Sequence, residues 1–389
     1  MSRRPGTPRL LRELNDRAAL ELLLSEGPLT RSQLGERTGL SKVTAAQLLS
    51  RLESRGLVAV VGEHYGSRGP NAALYAVVPS SAYVAGLEVL PEKVTAGVAD
   101  ITGKIVAEVT LNPNDGEDPA KNIHDAVIQV CELAKITISR LSAFVIGTRG
   151  IIDPRTGDVR FSYDLPPWHN GMLAVLRRDL NLPVVVENDV NLAAIAEREY
   201  GAAVDMDDFV LMWVGVGQGL GVMLGGRLYR GLTGGAGEIG WLPVPGEPLP
   251  TDVGSPQSGS FQRLAGGLAV QSLANAYGFA APTPGECVLA ALDGGTEGEA
   301  FLDALADRLA VGVAAVSVVL DPGLIVLGGE VGGSGGVELA ERVADAVARV
   351  CPSQPRVTVT EVRGNPVLRG ALLAALDQAR EVVFTSTTS

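Results

Sequence analysis

Apolar residues over the first eighty positions recur with a helical period and then give way to short β-prone runs. Leu11, Leu14, Ala18 and Leu22 predict an amphipathic first helix, ended by Gly27-Pro28. Thr30 is placed to cap a second helix through Arg37, with Arg31 at its start and Glu36 away from the capping-box position. Gly39-Leu40 makes the corner, because glycine accepts the left-handed backbone that such a turn needs. Ser41 then caps a third helix to about Arg55, whose Ala45, Leu48, Leu49 and Leu52 form one apolar face. Lys42, Thr44, Gln47 and Arg51 lie toward the opposite side. Two short strands, Leu57–Val61 and Ala73–Val78, flank a Gly66–Gly69 tip that carries Arg68.

These elements make a winged helix-turn-helix over residues 10–79, preceded by a flexible basic arm at 1–9. A helix of this kind fits the major groove. Gln47 and Arg51 can read base edges, while Ser41, Lys42 and Thr44 hold the phosphate backbone, and Arg31 is a further DNA-binding candidate. Arg68 at the wing tip is placed for a backbone or minor-groove contact. The competing reading is a three-helix protein-interaction module.

From about Ser80 the pattern changes. Tyr83–Leu90, Lys93–Asp100 and Lys104–Thr110 read as a three-strand meander. A helix at 122–141 and a buried strand at Ala143–Ile146 follow. Strand-then-helix units are expected at Val184–Tyr200 and Phe209–Leu224, then a long helix at Ala300–Leu320 and a strand at Leu324–Leu327. This alternation predicts α/β layering in two similar halves. The expected boundaries are 80–200 for a first lobe, 201–380 for a second lobe with the dimerisation region, and 381–389 for a flexible tail.

Charge sharpens this division. The chain carries 32 Lys+Arg against 44 Asp+Glu, net −12. Residues 1–80 hold 11 basic and 7 acidic residues, so the N-terminal module is basic on an acidic body. Cys131, Cys287 and Cys351 form no C-x-x-C pair, which argues against a disulfide framework. The most apolar stretch, Leu309–Leu320, is shorter than the roughly 20 residues a bilayer span takes. No signal peptide is read at the start, and a cytoplasmic protein without a membrane partner is expected.

The richest local motif is Gly234-Gly-Ala-Gly-Glu-Ile-Gly-Trp241, a glycine loop presenting Glu238. It resembles the sugar-site loop of the ROK family, which groups bacterial sugar kinases with related transcription factors. Four further segments resemble that family in order. They are Gly147-Thr-Arg-Gly150 with Ile151-Ile-Asp-Pro154, Tyr163-Asp-Leu-Pro-Pro-Trp168, Glu187-Asn-Asp-Val-Asn191, and Leu327-Gly-Gly-Glu-Val-Gly-Gly followed by Leu368-Arg-Gly-Ala. The resemblance implies a duplicated actin-like (ribonuclease-H-like) fold with a ligand cleft between the lobes. It also implies an effector site of Gly150, Asp164, Asn188, Asp189, Glu238 and Trp241. In the family's kinases the residue matching Asp189 takes the sugar hydroxyl's proton. Here Glu187-Asn-Asp can equally cap the following helix.

The departures matter as much as the matches. The kinases open with Asp-x-Gly-x-Thr, whereas this chain has Glu88-Val-Leu-Pro-Glu-Lys-Val-Thr, and Pro91 removes an amide donor from the turn. In Gly215-Val-Gly-Gln-Gly219, Val216 stands where the kinases carry threonine. The family's zinc histidine is Trp241, and Thr251–Gln262 contains no cysteine where the family's cluster should fall. The expectation is therefore a regulator, most simply a repressor, with no catalytic residues and no metal or cofactor. Its partners would be operator DNA, a sugar-like effector and one or three further copies of the chain. The alternatives are an active ROK kinase with an appended DNA-binding module, or a regulator of a non-sugar metabolite. Arg149 and Asp164, which replace the family's proline and asparagine, point toward a changed ligand.

Overall fold

The computed structural model describes residues 8–64, 71–112, 119–161, 172–180, 182–255 and 258–385. Among them no helix is long and apolar enough to cross a membrane.

The N-terminal module is built from α1 (Pro8–Glu26), β1 (Leu29–Thr30), α2 (Arg31–Thr38), α3 (Lys42–Ser54), β2 (Val58–His64) and β3 (Ala72–Val77). β1, a strand unforeseen in the sequence, pairs with β3 in the order β1-β3-β2. Thr30 caps α2, and Gln33 rather than any acidic residue closes the capping box. Gly39 ends α2 at φ 71°. Ser41 caps α3 by accepting from the Thr44 amide, and Ala45, Leu48, Leu49 and Leu52 are buried as expected.

Two expectations about α1 are corrected. It begins at Pro8, so residues 8 and 9 of the expected arm are helical. Its buried face is Asp16, Ala19, Leu20 and Leu23, whereas Leu11 and Leu14 are more than half exposed. The helix carries leucines on both sides, so periodicity alone does not fix its rotation. Asp16 does: only 2% exposed, it accepts from both Nε (3.1 Å) and Nη2 (2.5 Å) of Arg51 on α3. Arg55 adds a third cationic contact at 3.7 Å. A carboxylate buried this deeply is tolerated only with such partners.

The body begins with β4 (Tyr83–Val89), β5 (Val94–Asp100) and β6 (Ile105–Leu111), followed by α4 (Pro119–Leu133). α4 stops eight residues before the expected 141. Lys135 turns left-handed at φ 57° and the Ile136 amide reaches back to the Cys131 carbonyl, which folds Ile136 and Ile138 onto the core. Next come β7 (Leu141–Thr148), a hairpin of β8 (Ile151–Ile152) and β9 (Val159–Phe161), α5 (Met172–Leu180), β10 (Val184–Asn188) and α6 (Asp189–Tyr200). The first lobe's sheet runs β10-β7-β4-β5-β6.

The second lobe opens with β11 (Phe209–Val214), β12 (Gln218–Leu224) and β13 (Arg227–Leu228). Phe209–Leu224 is thus an antiparallel hairpin and not a strand with a helix, because Gly215–Gly219 lets the chain reverse. Helices α7 (Phe261–Ala265), α8 (Gly267–Ala276), α9 (Pro284–Leu292) and α10 (Gly295–Leu320) precede β14 (Leu324–Gly328), α11 (Gly329–Val350) and β15 (Arg356–Val359). The second sheet is β13-β12-β11-β14-β15.

The last helix, α12 (Pro366–Thr385), does not stay with the second lobe as the 201–380 boundary anticipated. It returns across the first sheet beside α6. A Cβ on Gly370 would lie 1.9 Å from the Leu192 carbonyl oxygen, so glycine permits this approach. The tail expected from 381 is helical to Thr385, and Phe384 is 1% exposed. One continuous apolar core runs from Leu20 and Leu48 through Val84 and Leu372 to Phe384. Arg55 donates to the Val383 carbonyl at 2.7 Å, so the winged helix is seated on the body through α12.

Candidate functional site

Two surfaces collect the candidate residues. On the winged helix, Arg31, Ser41, Lys42, Thr44 and Gln47 are all exposed along α2 and α3, together with Val43. Ser41 and Thr44 share a hydroxyl–hydroxyl hydrogen bond of 2.8 Å, which ties the first turn of α3 together. Arg51 departs from the expected groove face. Its guanidinium is committed to Asp16, a partner 35 residues away that no local pattern reveals. Arg68 lies outside the described residues.

The second surface is a cleft of about 770 Å³ between the lobes. Its first wall is the junction of β10 and α6. Asn188 is the N-cap of α6: its Oδ1 accepts from the Asn191 amide at 3.1 Å, and its Nδ2 donates to the Gly150 carbonyl at 3.1 Å. Capping and site-building are therefore one arrangement. Glu187 is held by Asn191 (2.9 Å) and by Arg230 of the second lobe (2.7 Å). Asp189 is buried, with Oδ1 accepting from the Val190 amide at 2.9 Å.

The facing wall is the glycine loop. Gly234 (φ 81°) and Gly237 (φ 93°) sit where a Cβ would come within 2.0 Å of the Ile152 oxygen and 2.1 Å of the Leu220 oxygen. Only glycine lets the loop lie so close to both lobes. It delivers Glu238 into the cleft near Asp189. Burial, reinforced by the Asp189 charge, raises the Glu238 carboxyl to about 7. Gly150, Asn188, Asp189 and Glu238 are thus brought together. Asp164 lies outside the described residues.

Trp241 does not line the cleft. It occupies a short 3-10 turn (Ile239–Trp241) and meets the Phe161 ring edge-on, with centroids 5.9 Å apart at 66°. Among the described residues, Phe161 is the aromatic side chain beside it that lines the cleft. Trp213 on β11 and Gln218 on β12 also line it, and both were missed in the sequence. The Gln218 carboxamide is buried with no hydrogen-bond partner on either polar atom. A glutamine in a glycine turn gives no local signal of this.

The other end of the cleft holds the two departed loops. In the β4–β5 turn the Leu90 amide is taken by the Lys93 carbonyl at 2.9 Å, and Pro91 has no amide to offer. In the β11–β12 turn the Gly215 amide is taken by the Gly217 carbonyl (3.2 Å), while Gln262 donates to the Val216 carbonyl at 2.8 Å. Val216 is 55% exposed at the tip. Glu88 and Glu330 face this end from opposite lobes, and burial raises both carboxyls. Asn365, donating to Glu88 at 2.6 Å, offsets part of the rise there, and the Arg149 charge offsets a smaller part at both carboxyls. The family's zinc does not fit these residues. The Trp241 indole has no free lone pair for a metal, and the cysteines are buried apart, Cys131 in the first lobe and Cys287 and Cys351 in the second.

Comparison with known proteins agrees with this architecture. The ROK family model matches residues 84–378 and the MarR family model matches residues 13–68. The xylose repressor of Caldicellulosiruptor bescii is 26% identical over 239 residues, covering 60% of this chain and 60% of that protein. A crystal structure of a transcriptional regulator described as a homologue of the E. coli MLC protein superposes with a TM-score of 0.77 at 18% identity. That superposition covers 96% of this chain and 99% of that one. The hexokinase of Thermus thermophilus gives a TM-score of 0.62 at 28% identity, over 75% and 97% of the two chains.

Proposed function

The chain belongs to the ROK family, and from that premise we propose that it is a ligand-responsive DNA-binding transcriptional regulator, most simply a repressor, without kinase activity. One observation carries the reading. The cleft keeps a wall of polar groups, Asn188, Asp189 and Glu238, while in its two phosphate-loop turns the Leu90 and Gly215 amides are taken by neighbouring carbonyls and Pro91 offers none. Phosphoryl transfer needs free donors and a metal clamp around the transferred group, and neither turn offers a full set. The relative named as a xylose repressor supports a sugar effector. The exposed faces of α2 and α3 on a basic module support operator DNA, with Gln47 reading bases and Arg31, Ser41, Lys42 and Thr44 on phosphates. Binding as a symmetric dimer, or a pair of dimers, matches the two half-sites such modules read.

Effector control follows from a population shift. A ligand that binds one lobe closure better than another moves the equilibrium by that difference alone. α12 is the mechanical link in this reading. Asn365 and Pro366 at its start line the cleft, and Val383 and Phe384 at its end hold the winged helix. The kinase reading keeps one observation in its favour, since Asp189 remains where a general base would sit. Coupled ATP-turnover assays with a hexose panel separate the two: sugar-dependent ADP release would sink the regulator-only reading. Operator selection from random DNA, repeated with Gln47→Ala, tests the other half. An unchanged sequence preference would remove Gln47 from base readout.

A further inference from the structure

Resting on that reading of the cleft, we propose that Phe161 is the platform on which the effector stacks, with Trp241 as its positioning residue, and that the effector is an uncharged sugar ring and not a sugar phosphate. Three observations meet here. The first is the aromatic pair. Phe161 ends β9 and lines the same cleft as Asn188 and Glu238, and Trp241 meets it edge-on at the favoured geometry for two rings. A flat apolar surface beside hydroxyl-binding groups suits a pyranose or furanose, which has an apolar C–H face and a polar rim.

The second is charge. Among the described residues, Glu88, Glu92, Asp189, Glu238 and Glu330 line the cleft against Lys93 and Arg149. Both cations already face carboxylates: Lys93 Nζ lies 4.0 Å from Glu88, and Arg149 acts on Glu88 and Glu330 together. A phosphate dianion entering here meets excess negative charge without an uncommitted pair of donors. The third is Gln218, a residue of the cleft lining whose carboxamide atoms are buried with neither donor nor acceptor satisfied, so that they reach a ligand once the side chain turns outward. A group offering both roles complements a hydroxyl, which also offers both.

The test uses the full chain and isothermal titration with neutral aldopentoses, aldohexoses and the matching hexose 6-phosphates. At least one neutral sugar should bind, and its phosphate ester at least about tenfold more weakly. Phe161→Ala should weaken the neutral sugar about tenfold, and Phe161→Tyr should hold it within about threefold. Trp241→Ala should cost about fivefold, with Trp241→Phe restoring affinity because the edge contact returns. A phosphate ester that binds more tightly, a Phe161→Ala protein within twofold of wild type, or a Trp241→Phe protein as weak as Trp241→Ala would each overturn the proposal. Asp189→Asn, run in parallel, separates the two levels. If it abolishes sugar binding while Phe161→Ala does not, the platform is wrong and the cleft assignment stands. If no sugar or phosphate binds wild type, both are wrong.

Discussion

The two ends of the cleft share one cavity but are built on opposite principles. At the α6 end the Asn188 carboxamide bridges the α6 cap and Gly150, and it frames two carboxyls that line the cleft, Asp189 and Glu238, the latter's pKa raised by burial and then by the Asp189 charge. At the phosphate-loop end the polar groups are turned on themselves. Leu90 and Gly215 give their amides to neighbouring carbonyls, Pro91 has none, and Arg149 sits among carboxylates of both lobes. Recognition needs hydrogen-bonding groups that face the cavity, and at the first end the Asp189 and Glu238 carboxyls supply them. The second has traded them for internal satisfaction, which stabilises a turn and forgoes a ligand.

That contrast can be broken or sharpened by experiment. The largest effect is expected from Asp189→Asn. It should weaken effector binding about 100-fold, or about 3 kcal/mol, with operator affinity within twofold, by calorimetry and fluorescence anisotropy. An unaltered dose-response would remove Asp189 from the site.

Glu238→Gln comes next. The folded pKa of about 7 exceeds the unfolded value of 4.5, so the folded state holds the proton more tightly. Stability without ligand should therefore fall as pH rises from about 4.5 to 7 and level off above that, with an upper bound of about 3 kcal/mol. Thermal unfolding across that range should show the slope in wild type and a shallower one in Glu238→Gln, where the Glu88 and Glu330 carboxyls, also raised by burial, keep a residual slope. A wild-type profile with no downward slope would mean the carboxylate is better solvated than its position indicates.

A third experiment repairs the other end. Pro91→Gly with Val216→Thr should raise ATP affinity by about tenfold at most, because the Leu90 and Gly215 amides stay occupied. Turnover should remain undetectable in a coupled assay, and recovery of sugar phosphorylation would show that the end is only lightly damaged. Asn365→Ala is the smallest perturbation. It removes the Glu88 hydrogen bond and the cap that accepts from the Leu368 amide, costing about 1–2 kcal/mol in chemical unfolding. Sugar affinity should stay within about threefold. A larger loss than that of Asp189→Asn would erase the distinction between the ends.

The sequence was most legible where structure is local. Thr30, Gly39 and Ser41 announced the ends of α2 and α3, and the α3 apolar face was read residue by residue. The Asn188–Asp189 turn and the Glu238 loop were readable as motifs because their geometry needs glycine or a capping side chain at fixed places. The failures share a cause. Arg51 looked like a base-reading residue because it lies on the polar side of α3, but Asp16 on α1 claims it. Trp241 looked like part of the effector site because it ends the motif, but it is Phe161, eighty positions earlier and in edge contact with it, that lines the cleft. The face of α1 was misjudged because its leucines occupy two sides, and burial of Asp16 chose between them.

By itself, then, the sequence determined the order of elements, the turns and caps that separate them, the charge contrast between module and body, and the residue types available to each loop. These follow from backbone preferences and hydrogen bonds spanning a few residues. The tertiary structure alone decided which of those residues meet. It carried α12 back to the first lobe, set Arg55 against Val383, brought Gln218 and Phe161 to one cleft, and occupied the Leu90 and Gly215 amides. Partners so far apart in the chain leave no period or motif in it, because their pairing is fixed only when two lobes and a winged helix pack around a shared core.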